Sequence, residues 1–258
     1  MPQTLNDAVR EICLWMPETT EVPSRGSPDF RVRNKTFATY VVNHHGDGRV
    51  ALWLRSPAGH QAYFSEADPQ HFFVPPYVGP RGWLGMSLNT GLKWASIVAQ
   101  VRDAYETVAP ASLCQSLGAT PTFEPPAEMP SATEIDPLLG KRPQEILAQV
   151  RDLISNWPEI SEGTQFGKPV WRAGKKTFIT VYHQKGHTWV SCWVGGELQL
   201  TLTEDKRYRV PAYTGHNGWI SLDVENTFDP DEVQELLLGS YRHFALKRML
   251  KALGAHSP

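Results

Sequence analysis

The chain has few cysteines and no long apolar run. Its 258 residues include 3 cysteines, and they are far apart with no C-x-x-C pair, which argues against a disulfide framework or a structural zinc site. No segment approaches the roughly 20 consecutive apolar residues of a membrane-spanning helix. The N-terminal region carries Asp7 and Glu11, where a signal peptide has an apolar run. These absences favour a soluble protein of the cytoplasm that has no membrane partner.

A strong excess of either charge is also missing. The chain has 25 Lys plus Arg against 27 Asp plus Glu, which gives a formal net charge of -2. This balance excludes the strongly basic composition of histones, so binding to nucleic acid requires a local basic patch.

Catalytic and metal-binding motifs are absent as well. The sequence has no G-x-S-x-G, no Walker loop, no G-x-G-x-x-G after a strand and no H-E-x-x-H. His44 and His45 are adjacent, but no further ligands stand at the spacing of a zinc site. Glu18 and Glu21 form a possible acid/base pair, although Pro-Glu after a helix is commonly part of a turn. We therefore expect a protein that is not an enzyme and that uses no metal or cofactor.

An internal repeat is the strongest pattern in the sequence. Residues Pro17–Tyr40 align without a gap with Pro158–Val181, and 10 of the 24 positions are identical. Val74–Trp83 and Val210–Trp219 match at 6 of 10 positions. One structural unit of more than 100 residues is therefore predicted to occur twice.

The segment between the two copies has a different composition. Residues 119–136, ATPTFEPPAEMPSATEID, are rich in proline and acidic residues and contain neither lysine nor arginine. Such a composition is typical of an extended, solvated linker. We predict one domain over residues 1–118, a linker over 119–136 and a second domain over 137–258.

Hydrophobic periodicity predicts an α+β fold for each copy. Apolar residues over 5–13 and 97–108 recur at helical spacing, and residues 28–42 alternate around a turn at Asn34. The predicted order is α-β-β-β-α-β-β-α, a two-layer domain with helices on one face of an antiparallel sheet. Residues 197–203 of the second copy alternate like a strand, whereas the first copy has a predicted helix at this point, and the sequence leaves the two alternatives open.

Three motifs of the first copy resemble those of the MmcQ/YjbR family of small bacterial proteins. They are a helix end, Cys13–Glu18 (CLWMPE), a hairpin, Gly26–Phe37 (GSPDFRVRNKTF), and a loop, Phe72–Trp83 (FFVPPYVGPRGW). The second copy is similar to a diverged member that has Asn217 in place of Arg81. The resemblance implies a fold like that of frataxin and CyaY. It also implies a DNA-binding role by fold analogy, and some members accompany antibiotic biosynthesis or resistance genes. No catalytic residue comes with it.

The leading functional hypothesis is binding of double-stranded DNA through basic hairpin faces. Alternation along a hairpin places several Lys and Arg side chains on one sheet face, where they can contact phosphates. Two linked copies would increase the avidity for one duplex. The predicted nucleic-acid-binding residues are Arg31, Arg33, Lys35, Arg55, Arg81, Lys168, Arg172, Lys175 and Lys176.

A second hypothesis is binding of a planar small molecule, such as an antibiotic-like compound or a metabolite, in aromatic pockets. Aromatic side chains near the Gly-rich loop of each copy can stack on such a ligand, or they can simply pack the loop against the sheet. The predicted pocket residues are Trp53, Tyr77, Arg81 and Trp83 of the first copy and their counterparts Trp193, Tyr213, Asn217 and Trp219 of the second. A third alternative is that one copy is a structural or interaction module.

Overall fold

The computed structural model describes residues 4–24 and 27–255. Gly26 of the hairpin motif lies outside these residues. The chain forms two compact units, residues 1–135 and 136–258. Each unit has its own hydrophobic core.

The first unit is an α+β domain. Its helices are α1 (Leu5–Trp15), α2 (His60–Ala67), α3 (Trp94–Val108), α4 (Ala111–Ser116) and α5 (Ala132–Ile135). Its strands are β1 (Thr19–Ser24), β2 (Ser27–Val32), β3 (Lys35–Val42), β4 (Val50–Leu54), β5 (Phe72–Phe73) and β6 (Leu84–Ser87). These six strands form one antiparallel sheet in the order β1-β2-β3-β4-β6-β5.

The core of the first unit lies between one sheet face and the helices α1 and α3. Thr4 caps α1, because its hydroxyl accepts the backbone N–H of Asp7 at 3.1 Å while the Asp7 carboxylate accepts the N–H of Thr4 at 3.2 Å. The apolar stripe predicted for this helix, which includes Val9 and Ile12, is buried. Tyr40 and Leu52, directly opposite each other on β3 and β4, face the same core.

The second unit repeats this architecture. Its helices are α6 (Lys141–Ile154), α7 (Gly196–Leu202), α8 (Pro230–Phe244) and α9 (Lys247–Ala255). Its strands are β7 (Ile160–Gln165), β8 (Lys168–Ala173), β9 (Lys176–Gln184), β10 (His187–Trp193), β11 (Tyr208–Arg209) and β12 (Trp219–Asp223). The antiparallel sheet has the order β11-β12-β10-β9-β8-β7.

The structure decides the number of strands in each sheet and the conformation of residues 197–203. The α+β class and the repeat are confirmed, but each sheet has six strands rather than five, since β1 and β7 at the sheet edges were not predicted. The polar sequence TTEVPS, with Pro23, does not alternate as a half-buried strand does, and proline in a sheet is typical of an edge strand. The open question at residues 197–203 is answered by the helix α7, whose C-terminal cap is Thr203.

The segment between the two repeats packs partly on the first core. Leu117 and Phe123 are buried in that core, and the Phe123 ring meets the Trp15 ring edge-on with centroids 5.8 Å apart. Arg102 on α3 donates to the Gly118 carbonyl at 3.1 Å and to the Thr120 hydroxyl at 2.6 Å. The first part of this proline-rich segment is therefore anchored to its domain rather than fully solvated.

Among the helices that the structure describes, none has both the length and the apolar character needed to span a membrane.

Candidate nucleic-acid interface

The two sheets have the same register, so that positions of the two copies can be matched. In the first unit Thr39 pairs with Trp53, which pairs with Gly85. In the second unit Thr180 pairs with Ser191, which pairs with Ser221. These residues lie on the sheet face that is turned away from the helical layer, because their neighbours along each strand face the core. We call this face of either unit the open face.

This register corrects one predicted correspondence. The sequence comparison treated Trp193 as the counterpart of Trp53, but the position of Trp53 in the second unit is occupied by Ser191. Trp193 lies two residues further along, at the position of Arg55. Its ring stacks on His243 of α8, with the centroids 3.5 Å apart.

The open face of the first unit is apolar. Trp53 and Trp83 are only 9% and 8% exposed and form a small cluster with Val41 and Ala51. Both tryptophans therefore pack the loop against the sheet. Tyr77 of the same loop is 66% exposed, and its hydroxyl lies 2.7 Å from Nε2 of His45.

The Gly-rich loop is held in the same way in both units. Nε2 of Gln61 donates to the carbonyls of Gly79 and Trp83 at 2.8 and 2.6 Å. Gln199 makes the same two hydrogen bonds in the second unit, to Gly215 and Trp219.

The remaining predicted pocket residues of the two loops are dispersed. Arg81 is exposed on a short 3-10 turn, and Asn217 occupies the matching turn. Tyr213 is 90% exposed, whereas Trp219 packs near Phe244 with the centroids 6.0 Å apart. A shallow depression of about 350 Å³ in the first unit is lined by none of the predicted pocket residues; its lining is Pro57, His60, Asp103, Glu106 and Thr107.

Several predicted basic residues of the first unit are already compensated. Arg31 pairs with Asp29 at 2.8 Å, and Arg33 pairs with Glu18 at 2.8 Å. The guanidinium of Arg55 lies over the Trp83 ring at 5.6 Å. Lys35 is exposed at the start of β3. Carboxylates therefore neutralise two of the five predicted basic residues of the first unit, Arg31 and Arg33.

The predicted basic residues of the second unit are in a different electrostatic environment. Arg172 corresponds to Arg31, but Val170 stands at the position of Asp29. The carboxylate that pairs with Arg31 therefore has no equivalent beside Arg172. Across residues 4–24 and 27–255, no carboxylate oxygen lies within 4.0 Å of the charged groups of Lys168, Arg172, Lys175 or Lys176. Lys175 and Lys176 are exposed where the chain turns from β8 into β9.

Arg209 is a further basic residue of this face that the sequence analysis missed. It pairs with Ser221 across β11 and β12, at the position that Phe73 occupies in the first unit. Its guanidinium lies 3.5 Å from the centroid of the Trp189 ring and 5.5 Å from that of Tyr182. Tyr182 and Trp189 lie opposite each other on β9 and β10, so both rings are on this face. Nothing in the two-residue strand β11 indicated the arginine.

Lys168, on the adjacent strand β8, lies near the same tyrosine. Its Nζ is 4.7 Å from the centroid of the Tyr182 ring. Burial, together with the nearby positive charge of Arg209, lowers the pKa of Lys168. Serine hydroxyls lie beneath this pair: Tyr182 donates to Oγ of Ser221 at 2.9 Å, and Ser221 donates to Oγ of Ser191 at 3.1 Å.

The repeated carboxylates have a structural role. Glu21 is bound by Arg10 at 2.6 Å, and the matching Glu162 is bound by Arg151 at 2.8 Å. These arginine hydrogen bonds lower the pKa of both carboxyl groups. A general acid at neutral pH needs a raised pKa, so these side chains suit ion pairing rather than acid/base chemistry.

Two of the three cysteines are core residues. Cys13 and Cys192 are buried, and burial raises the pKa of both thiols, that of Cys192 to about 12. Within the part of the chain that the structure describes, no group of three or more His, Cys, Asp or Glu side chains is arranged to hold a metal ion.

Comparisons with known proteins give the family. The YjbR family model matches two segments, residues 14–107 and 155–243. No curated protein matches the chain. A crystal structure of Deinococcus radiodurans protein DR2400, with the family-model domain DUF419, is 19% identical, with a TM-score of 0.35 over 42% of this chain and 87% of that one. The two matched segments cover most of the sequence, and the chain therefore belongs to the YjbR family and carries two YjbR domains in tandem.

Proposed function

We propose that this protein is a non-catalytic DNA-binding protein and that its second domain provides the contacts to the phosphate backbone. The observation that carries the proposal is the set of basic side chains of that domain, Lys168, Arg172, Lys175 and Lys176, that have no carboxylate partner among the described residues. Phosphate contacts by Lys and Arg supply most of the affinity of non-specific DNA binding.

The contrast between the two copies supports this assignment. Of the matched arginines, Arg31 has a carboxylate partner and Arg172 has none. The open-face position of Ser27 in the first unit is occupied by Lys168 in the second, and that of Phe73 is occupied by Arg209. The second copy therefore has cations at two positions of this face where the first copy has uncharged residues.

The charge distribution also sets the expected strength of binding. Residues 137–258 carry 15 basic and 13 acidic side chains, a small excess. We expect non-specific binding with a Kd of about 10⁻⁴ to 10⁻⁶ M near physiological salt.

Fluorescence anisotropy of a labelled duplex tests the proposal. The full chain is titrated into a duplex of about 20 base pairs at about 50 and 150 mM salt. We expect affinity to fall steeply with salt, because each phosphate contact contributes about 0.9 to the slope of log K against log salt. The double variant Lys175→Ala/Lys176→Ala and the variant Arg172→Ala are expected to bind more weakly and with a shallower slope.

The matched control is Lys141→Ala, which removes a side chain that is 93% exposed at the start of α6, on the helical layer. It should bind as the unmodified protein does. Absence of binding at the lower salt concentration would overturn the proposal, as would losses in the control equal to those in Arg172→Ala and in Lys175→Ala/Lys176→Ala.

A further inference from the structure

Two cations of the second unit converge on one aromatic ring from distant strands. Lys168 is on β8 and Arg209 is on β11, and three strands, β9, β10 and β12, separate them in the sheet. Nevertheless, both charged groups lie within 6 Å of the centroid of the Tyr182 ring, at 4.7 and 5.5 Å.

This convergence is electrostatically unfavourable in the absence of an anion. Like charges at short range repel, and the lowered pKa of Lys168 reflects burial and the nearby guanidinium. Asp223, an acidic residue of the same sheet, lies 2.7 Å from Nδ1 of His187. Among the described residues, no carboxylate compensates the pair. The ring of Tyr182 offsets part of the repulsion through cation–π attraction.

The arginine is held in place while keeping free donors. Its Nη2 donates to the Tyr182 hydroxyl at 3.2 Å and to Oε1 of Gln184 at 2.6 Å. Stacking on Trp189 at 3.5 Å fixes the guanidinium plane. The N–H groups on Nε and Nη1 donate to none of the described residues, and neither does Nζ of Lys168, so both side chains retain hydrogen-bond capacity.

The described residues of the first unit form no such pair of cations around one ring, although the strands have the equivalent register. The positions of Lys168, Tyr182 and Arg209 are occupied there by Ser27, Val41 and Phe73. The convergence is therefore a property of the second sequence and not a consequence of the fold.

We propose that Lys168 and Arg209 form a clamp for a tetrahedral phosphate-type anion on the open face of the second unit. Two positive charges beside one ring, with unused N–H donors, suit the negative charge and the acceptor oxygens of a phosphate group. The clamp rests on the proposed DNA-binding function, in which the anion is a backbone phosphodiester. The same chemistry would bind a small phosphate ester.

Calorimetric titration of the full chain with inorganic phosphate tests the clamp, beside the duplex titration described above. The variants are Lys168→Gln and Arg209→Gln, with Lys141→Gln as the matched control. We expect each clamp variant to weaken phosphate binding at least about tenfold and the control to leave it unchanged. Thermal unfolding of every variant checks that the second unit remains folded. If Arg209→Gln unfolds, phosphate binding by Lys168→Gln alone tests the clamp, because Lys168 is not part of the core.

The outcomes separate the clamp from the wider function. Loss of both phosphate and duplex binding in the clamp variants supports the clamp with a backbone phosphate as its ligand. Phosphate binding that requires the clamp, together with no duplex binding by the unmodified protein, supports the clamp and overturns the DNA proposal in favour of a small phosphate ester. Duplex binding that is unchanged in folded Lys168→Gln, with no measurable phosphate binding, overturns the clamp alone. Failure of the unmodified protein to bind either probe overturns both.

Discussion

At the scale of single residues, the two copies preserve the same contacts between helix and sheet. Arg10 and Arg151 bind the matching carboxylates Glu21 and Glu162. The hydroxyls of Tyr105 and Tyr241 donate to the carbonyls of Pro17 and Pro158 at 2.8 and 2.7 Å. Each of these contacts ties a helix to the segment just before or within the edge strand. Residues that are identical in the two copies therefore hold the edge strand of each sheet against the helices.

The two Arg–Glu pairs predict the acid stability of the protein. Both carboxyl groups have a folded-state pKa below the ordinary value near 4.3. Their contribution to stability is therefore complete above about pH 5 and is lost as the pH falls through the lowered pKa. The side chains are partly exposed, so each pair is expected to contribute about 0.5 kcal/mol.

Urea unfolding at several pH values between 7 and 2 measures this effect. Arg10→Met and Arg151→Met should be less stable than the unmodified protein at pH 7, and the difference should vanish towards pH 2. Glu21→Gln and Glu162→Gln should behave in the same way. A stability difference that stays constant over this pH range would contradict the assignment.

At the scale of elements, the hairpin turns differ in backbone strain. Lys185 and Gly186 form the two-residue turn between β9 and β10, with φ of +54° and +80°. Positive φ at both positions is the geometry of a type I′ turn, in which Asn-Gly is preferred. Lys185→Asn is expected to stabilise the second unit by about 0.5–1 kcal/mol, because asparagine tolerates the left-handed region better than lysine.

Thermal or urea unfolding of the full chain tests this substitution. Lys175→Asn is the matched control, since Lys175 is in the turn between β8 and β9 and is not among the residues with positive φ. Equal effects of the two substitutions would show that turn geometry is not the cause.

Periodicity predicted most elements, because a buried stripe or face leaves a regular trace in the sequence. The apolar spacing of α3 and the alternation of β3 are examples. The strands β1 and β7 leave no such trace, since much of each lies at a partly exposed sheet edge. At α7 the repeat was the better guide, because exposed Leu198 and Leu200 imitate strand alternation on a helix that buries none of its residues.

The candidate site was less predictable than the fold. The sequence indicated Lys168 and Arg172 as members of a basic hairpin, and the structure places both on the second sheet. It did not indicate Arg209, which comes from a strand of two residues about 40 positions further along the chain. It also mismatched Trp193 with Trp53, because the copies differ in length between the aligned blocks and only the strand register fixes the correspondence.

At the scale of the whole molecule, duplication has preserved the framework while the open faces have diverged. The core positions of both sheets remain apolar. On the open face, Val41, Ala51 and Trp53 of the first unit correspond to Tyr182, Trp189 and Ser191 of the second. Five of these six residues are also buried, so the copies differ in which side chains pack on this face. The ligand contacts that we propose therefore lie in the second domain.

The position of the boundary between the units predicts how truncation affects the stability of the first domain. A fragment of residues 1–118 lacks Phe123 and Ile135, which pack on the first core, and the Thr120 hydroxyl that binds Arg102. A fragment of residues 1–135 keeps all of these contacts. Loss of a buried Phe side chain alone costs about 3 kcal/mol, so the shorter fragment should be less stable by at least about that amount.

Urea unfolding of the two fragments, followed by tryptophan fluorescence, measures the difference. Phe123→Ala within the 1–135 fragment should reproduce most of the loss, because the Phe123 ring contacts Trp15 and the core beneath it. Glu124→Ala is the matched control, since this neighbouring side chain is exposed. Equal stability of the two fragments would show that the proline-rich segment adds nothing to the first domain. The expected result places the end of that domain beyond Phe123, because burial of an apolar side chain, and not the local content of proline, decides which residues belong to a core.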